Sequence, residues 1–319
     1  MASKILVLGS SSLVGSHFVD MFHDKYEISA VGRRNIFEET DFLASFLKVD
    51  LQDRTRLEDT IRSSDAEFVI NYAAETNVDA CERERNIIEG KVYRTNTSAV
   101  RWIQESCRET GKIFYQISTD AVFDGTKGPY SEGDPAGSIS NEISWYGYTK
   151  HLAEKELMRG PSENCVIRIS YPYRASFPPK TDLARTILYM HRNGNLFPLF
   201  TDQIFSPTLV DDVSKSLDFL IRRNSRGIYH VASRYQTTPF EFAGKLISVF
   251  FGDSESHKLR KASILEFRAS SGSAPRPVKG GLITEKIAAE GFAPRTFEEG
   301  IMEMYRQSIR NSPNESKSV

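Results

Sequence analysis

Short apolar runs alternate along this chain with stretches in which apolar positions recur at helical spacing. Ile5-Leu6-Val7-Leu8, Glu27 to Val31, Phe46 to Asp50, Phe68-Val69-Ile70-Asn71, Lys112 to Ile117, Cys165 to Ser170 and Gly227 to Val231 read as strands. Between them, Ser16 to Phe22, Thr55 to Ile61, Asn96 to Ile103, Ser144 to Lys155 and Asp182 to Met190 read as helices, and another opens at Leu209 to Val213. Continuous apolar strands separated by helices predict an α/β protein with a parallel sheet buried on both faces. From about Tyr171 the alternation loosens. The stretch from Ser254 to Val278 is locally basic and rich in loop formers: either a solvated segment or a gate that folds over an anionic substrate. Asn311 to Ser316 reads as a frayed tail.

The first strand ends in Gly9, and Ser10-Ser11-Ser12-Leu13-Val14-Gly15 leads into the first helix. Strand, tight polar turn and helix aim backbone amides at a phosphate, so Gly9, Ser11, Ser12, Leu13 and Val14 are candidate ligands of a dinucleotide. The second strand ends in Gly32-Arg33-Arg34, without the acid that would bind a ribose 2'-hydroxyl. Two arginines there pair instead with a 2'-phosphate, so NADP(H) is preferred and NAD(H) remains possible. Asp50 and Leu51 are placed to touch the adenine edge, and small Ala73 and Ala74 let a cofactor backbone approach. Asn96 is either a cofactor contact or an ordinary helix cap.

Ser118, Thr119 and Asp120 stand at the carboxyl end of the fifth strand, where open α/β sheets place ligands. The loop from Val122 to Ser140 reads as active-site surface ahead of the next helix. On that helix Tyr146 and Lys150 lie one turn apart on one face. A neighbouring ammonium favours the phenolate and makes the phenol a better acid, able to protonate a carbonyl that receives a hydride. Tyr148 faces elsewhere. Residues 1–170 therefore read as an NADP-binding domain, and 171–319 as mostly a substrate-binding domain with some segments returning to the first.

Composition narrows the classes. A formal net charge of -1 gives no electrostatic argument for nucleic acid or an anionic membrane. No apolar run reaches the ~20 residues that span a bilayer. The start of the chain carries no signal-peptide pattern, and the 3 cysteines match no disulfide framework, so a cytoplasmic location is expected. No metal site is expected: the histidines are scattered.

Taken together, Leu8 to Gly15, Asn71 to Asp79, Ile117 to Gly125, Tyr146-Gly147-Tyr148-Thr149-Lys150, Asp202 to Thr208 and Arg276 to Leu282 resemble the extended short-chain dehydrogenase/reductases, and within them most the dTDP-4-dehydrorhamnose reductases and related nucleotide-sugar 4-ketoreductases. The resemblance implies a Rossmann-type doubly wound parallel sheet with a smaller, interleaved α/β substrate-binding domain. It implies a catalytic set of Thr119, Tyr146 and Lys150, with Lys150 also on the nicotinamide ribose. Asp120, Asp202, Gln203 and Arg276 would help to hold a nucleotide-sugar, whose diphosphate suits an arginine. The implied reaction is NADPH-dependent reduction of a sugar 4-keto group, dTDP-4-dehydrorhamnose to dTDP-L-rhamnose. Alternatives are a reductase or epimerase for another nucleotide-sugar, or a non-catalytic NADP-binding subunit similar to the regulatory subunit of methionine adenosyltransferase. A homodimer is compatible with the chain. Four departures stand out: Ser12 in place of the middle glycine, Ala121 where an aromatic is usual, Tyr171-Pro172-Tyr173 where Val-Tyr-Gly is expected after the sixth strand, and an atypical segment from Arg174 to Lys180. Ala121 also occupies the place of the glutamate found in 4,6-dehydratases, which argues against dehydration.

Overall fold

The computed structural model describes residues 2–137, 142–159 and 164–310. The 138–140 end of the loop after Val122, and the expected tail from Asn311, lie outside these. Seven strands form one wholly parallel sheet: β1 (Lys4–Leu8), β2 (Glu27–Gly32), β3 (Ser45–Lys48), β4 (Phe68–Asn71), β5 (Ile113–Thr119), β6 (Cys165–Ile169) and β7 (Gly227–His230). Their order across the sheet is β7-β6-β5-β4-β1-β2-β3, so the direction of winding reverses between β1 and β4. That reversal opens a crevice at the carboxyl ends of the strands.

Alternation within each strand builds two cores. Ile5, Val7, Ile28, Ile70, Tyr115 and Ile167 face helix α1 (Gly15–Phe22) and a later helix, Val210–Arg222, on one side. Leu6, Leu8, Val31, Val69, Phe114 and Val166 face α2 (Arg54–Ser63), α3 (Ala99–Glu109) and α4 (Trp145–Leu157) on the other. Burial on both faces explains why the strands read as unbroken apolar runs. Only β3, at the sheet edge, is largely exposed. The strand β7 and the helix Val210–Arg222 bring the second half of the sequence back to this sheet.

The remaining chain packs a third core of Tyr173, Ile187, Leu199, Phe205, Phe242, Leu246 and Ile301. It joins α5 (Leu183–Arg192), α7 (Pro239–Phe251) and α9 (Phe297–Arg310) to two short parallel strand pairs, from which α6 (Val210–Arg222) and α8 (Ile264–Ser271) lead on. Asp182 caps α5, accepting from the Arg185 amide at 3.0 Å. A full capping box, Thr238 with Glu241, starts α7 ahead of Pro239.

The stretch 254–278 includes the helix α8, which Ser263 caps, accepting from the Glu266 amide at 3.3 Å. One local expectation is corrected: Asn96 does not stand at a helix entrance. It is fully buried inside a π-helical turn, Arg94–Ser98, that continues into α3. Its side chain bridges the Glu75 amide (2.9 Å) and the Glu75 carbonyl (3.1 Å), pinning the loop after β4.

Candidate active site

Two connected depressions occupy the crevice. A groove of about 290 Å³ runs over Gly9, Ser11, Ser12, Leu13, Arg33, Arg34, Asp50, Leu51, Ala73 and Ala74. A cavity of about 450 Å³ lies beside it, lined by Leu13, Val14, Ser118, Thr119, Asp120, Ala121, Tyr146, Lys150 and Arg276 among others. Ser12, Leu13, Tyr72, Ala74, Thr76 and Lys180 belong to both. Candidates far apart in sequence thus meet along one continuous path. Asn96, Asp202 and Gln203 stand outside it.

The turn after β1 is built for close approach. Gly9 has φ +76°, and a Cβ there would lie 2.7 Å from the Ala73 nitrogen. Ser12 keeps a side chain at the place of the middle glycine because its Oγ turns inward and accepts from the Gly15 amide at 3.0 Å. The hydroxyl therefore braces the turn. Ser118 is buried and its Oγ has no hydrogen-bond partner, although the residue lines the cavity. An unpaired hydroxyl of this kind, a turn with no room for a Cβ and two arginines at the far end of the groove fit an anionic dinucleotide.

Thr119 ends β5, and its Oγ1 accepts from the Ala121 amide at 3.1 Å and donates to Asp120 Oδ1 at 3.2 Å. Asp120 is buried, accepts from Ser170 Oγ at 2.6 Å, and is pushed up to about 6 by that burial. The helix α4 starts with Ser144 capping the Gly147 amide at 3.2 Å. Gly147 lets the helix lie against the Asp120–Val122 turn: a Cβ there would sit 1.9 Å from the Ala121 carbonyl oxygen. This contact aims Tyr146 and Lys150 into the cavity, whereas Tyr148 stacks on Trp145.

Burial raises Tyr146 well above the usual tyrosine range; hydrogen bonding by Thr119 pulls the other way, and the Asp120 charge adds to the rise. Lys150 is 2% exposed, lowered to about 8 by burial, and donates to the Ile117 carbonyl at 2.7 Å. The expected pull of the ammonium on the phenol is not among the causes of this shift; burial dominates, and the tyrosine is held protonated. A protonated phenol beside a charged lysine can release a proton and then be stabilised as phenolate.

Arg276 reaches the cavity wall while bonding Asp79 at 2.7 Å. Asp202 instead accepts from Ser263 Oγ (2.5 Å) and the Ile264 amide (2.7 Å), fastening the start of α8. Gln203 is buried and donates to the Pro277 carbonyl at 3.1 Å, holding the segment that carries Arg276. Two cavity residues, and Ser170 behind the cavity wall where it bonds Asp120, escaped sequence reading. Tyr171 adopts φ +41°, outside the usual range for a tyrosine, and lines the wall. Ser170 follows β6, where the strand-end rule could have found it. Lys180 gives no local signal at all.

A family model described as the RmlD substrate binding domain matches residues 3–309. The chain belongs to this family. It is 30% identical over 251 residues to the probable low-salt glycan biosynthesis reductase Agl14 of Haloferax volcanii, covering 78% of this chain and 80% of that one. It is 25% identical over 244 residues to the dTDP-4-dehydrorhamnose reductase of Escherichia coli, covering 75% and 78%. The crystal structure of dTDP-4-dehydrorhamnose reductase from Bacillus anthracis in complex with NADP shares the fold at TM-score 0.79 and 22% identity, covering 96% of this chain and 100% of that one. The likeness to dTDP-4-dehydrorhamnose reductases read from the sequence therefore holds over nearly the whole chain. The architecture is that of NAD(P)-dependent oxidoreductases of the short-chain dehydrogenase/reductase superfamily.

Proposed function

We propose that this chain reduces the 4-keto group of a nucleotide-activated deoxysugar with NADPH, converting dTDP-4-dehydrorhamnose to dTDP-L-rhamnose. The observation that carries the reading is the convergence of Thr119, Tyr146 and Lys150 on one cavity wall, continuous with the groove over the Gly9 turn. Gly9, Ser11, Ser12, Leu13 and Val14 would hold the dinucleotide diphosphate, and Arg33, Arg34, Asp50 and Leu51 its adenosine end. Bound in this way, the nicotinamide supplies a hydride.

The chain's residues do the rest. Tyr146 protonates the carbonyl oxygen as charge develops on it, and Thr119 holds that oxygen by hydrogen bonding. Lys150 keeps positive charge beside the phenolate left behind and orients the ribose. Arg276 pairs with the diphosphate of the sugar nucleotide. Purified protein should oxidise NADPH when given dTDP-4-dehydrorhamnose. No oxidation with that substrate or any other 4-keto-6-deoxy nucleotide-sugar would reject the reading. A different sugar is the second reading, favoured by the small Ala121 in the cavity wall. Turnover of another 4-keto sugar with none of dTDP-4-dehydrorhamnose would select it.

The preference for NADPH rests on Arg33 and Arg34, both exposed at the groove beside Asp50. Charge-assisted bonds of this type are worth about 1.5–3 kcal/mol each. Replacing both arginines by serine should weaken NADPH binding about 10–100-fold and NADH binding little. Titration of each dinucleotide by fluorescence checks this, and equal losses would remove the 2'-phosphate role.

A further inference from the structure

The segment from Tyr173 to Lys180, which follows β6 and departs from the family pattern, lies across the junction of groove and cavity. Arg174 Nη1 donates to the Leu13 carbonyl at 3.2 Å and meets Ser16 Oγ at 3.0 Å, so it grips the turn at the head of α1. The same guanidinium lies 5.2 Å from the centroid of the Phe177 ring. From α5, Arg185 donates to the Phe177 carbonyl at 2.7 Å and to the Lys180 carbonyl at 2.6 Å, and its Nε pairs with Asp182 at 2.7 Å. The strap is thus tied at both ends, and Lys180 sits on a turn of fixed shape. Its Nζ reaches across to Thr76 Oγ1 at 3.2 Å on the opposite lip.

We propose that Lys180 is a ligand for a diphosphate that crosses the junction between the two depressions. The inference rests on the reading of the chain as a dinucleotide-dependent reductase. Groove residues Arg33 and Asp50 suit an adenosine end, and cavity residues Tyr146 and Lys150 suit a nicotinamide end, so the linking diphosphate must pass the residues common to both. On one side it meets the amides of the Ser12-Leu13 turn. On the other, among the described residues, the only cation common to both depressions is Lys180. Its present partner, the neutral Thr76 hydroxyl, is a weaker acceptor than a phosphate oxygen, so an arriving anion displaces it. The lysine belongs to the second half of the chain, and its contact would tie that half to the bound dinucleotide. A sugar nucleotide entering from the Arg276 side offers the same chemistry from the other direction.

The test compares Kd values for NADPH, NADH and thymidine diphosphate in the full chain and in Lys180→Met and Lys180→Arg. If the dinucleotide is the source, Lys180→Met raises the Kd of NADPH and NADH by one common factor, about tenfold, and leaves thymidine diphosphate alone. If the sugar nucleotide is the source, only thymidine diphosphate weakens. In either case Lys180→Arg retains most of the affinity. Unchanged Kd values for all three ligands in Lys180→Met would overturn the role. Failure of the wild-type chain to bind either dinucleotide would overturn the functional reading itself, and this role with it.

Discussion

Replacing Tyr146 by phenylalanine should lower turnover about 10²–10⁴-fold while leaving the Kd for NADPH nearly unchanged. The change removes one hydroxyl from a cavity wall and leaves the ring, so packing against the Ala121 turn survives. What is lost is the proton that must reach the carbonyl oxygen as it gains charge. Thr119 can still donate a hydrogen bond to that oxygen but cannot take over, because an alkyl hydroxyl is a far weaker acid than a phenol and does not give up its proton. Wild-type activity in the variant would sink the proton-donor assignment. The wild-type pH profile carries a second signature. Burial lowers Lys150 to about 8, so its ammonium is present below that pH and is lost as pH rises through it. Turnover that needs this charge beside the phenolate should fall above about pH 8.

The parts of the site legible in the sequence are the locally written ones. A turn such as Gly9 to Gly15 carries its geometry in neighbouring residues, and Tyr146 and Lys150 share a face because one helical turn separates them. Strand ends are also readable, since apolar runs stop where the crevice begins; Ser118-Thr119-Asp120 was found in that way. Asp202 shows where such reading fails. Its carboxylate looks the same in sequence whether it binds a sugar or caps a helix that begins at Ile264. Only the fold brings Ser263 to it. The helix it fastens was equally hidden, because Ile264 is the only residue of Ile264–Ser271 buried among the described side chains, leaving no apolar stripe to read. Lys180 is the extreme case: an exposed lysine in a proline-rich stretch whose meaning comes from Thr76 and Arg185.

Replacing Arg168 by methionine should destabilise the protein by about 3–5 kcal/mol and lower Tm by on the order of 10 °C. Arg168 lies on β6 and Glu154 on α4, both 3% exposed. The guanidinium meets the carboxylate with two arms, Nε to Oε1 at 3.0 Å and Nη2 to Oε2 at 2.7 Å. Its third arm points to His230 Nε2 at 3.2 Å, and its face covers Phe123 with 4.9 Å to the ring centroid. His230 is pushed down to about 3 by burial and by Arg168, so it remains neutral and cannot replace the lost cation. Methionine fills much of the volume but leaves Glu154 as a buried carboxylate without its counter-charge. The double change Arg168→Met with Glu154→Leu removes both charges and should recover most of the loss, because apolar replacements for a buried pair are often neutral. Thermal unfolding of the two variants decides the matter: equal losses would show that shape rather than charge pairing matters at this position. The same pair reaches the site, since Glu154 lies one turn beyond Lys150 on α4 and its charge raises the lysine against the pull of burial. Glu154→Gln should therefore move the alkaline limb of turnover to lower pH, which a structural role alone would not do.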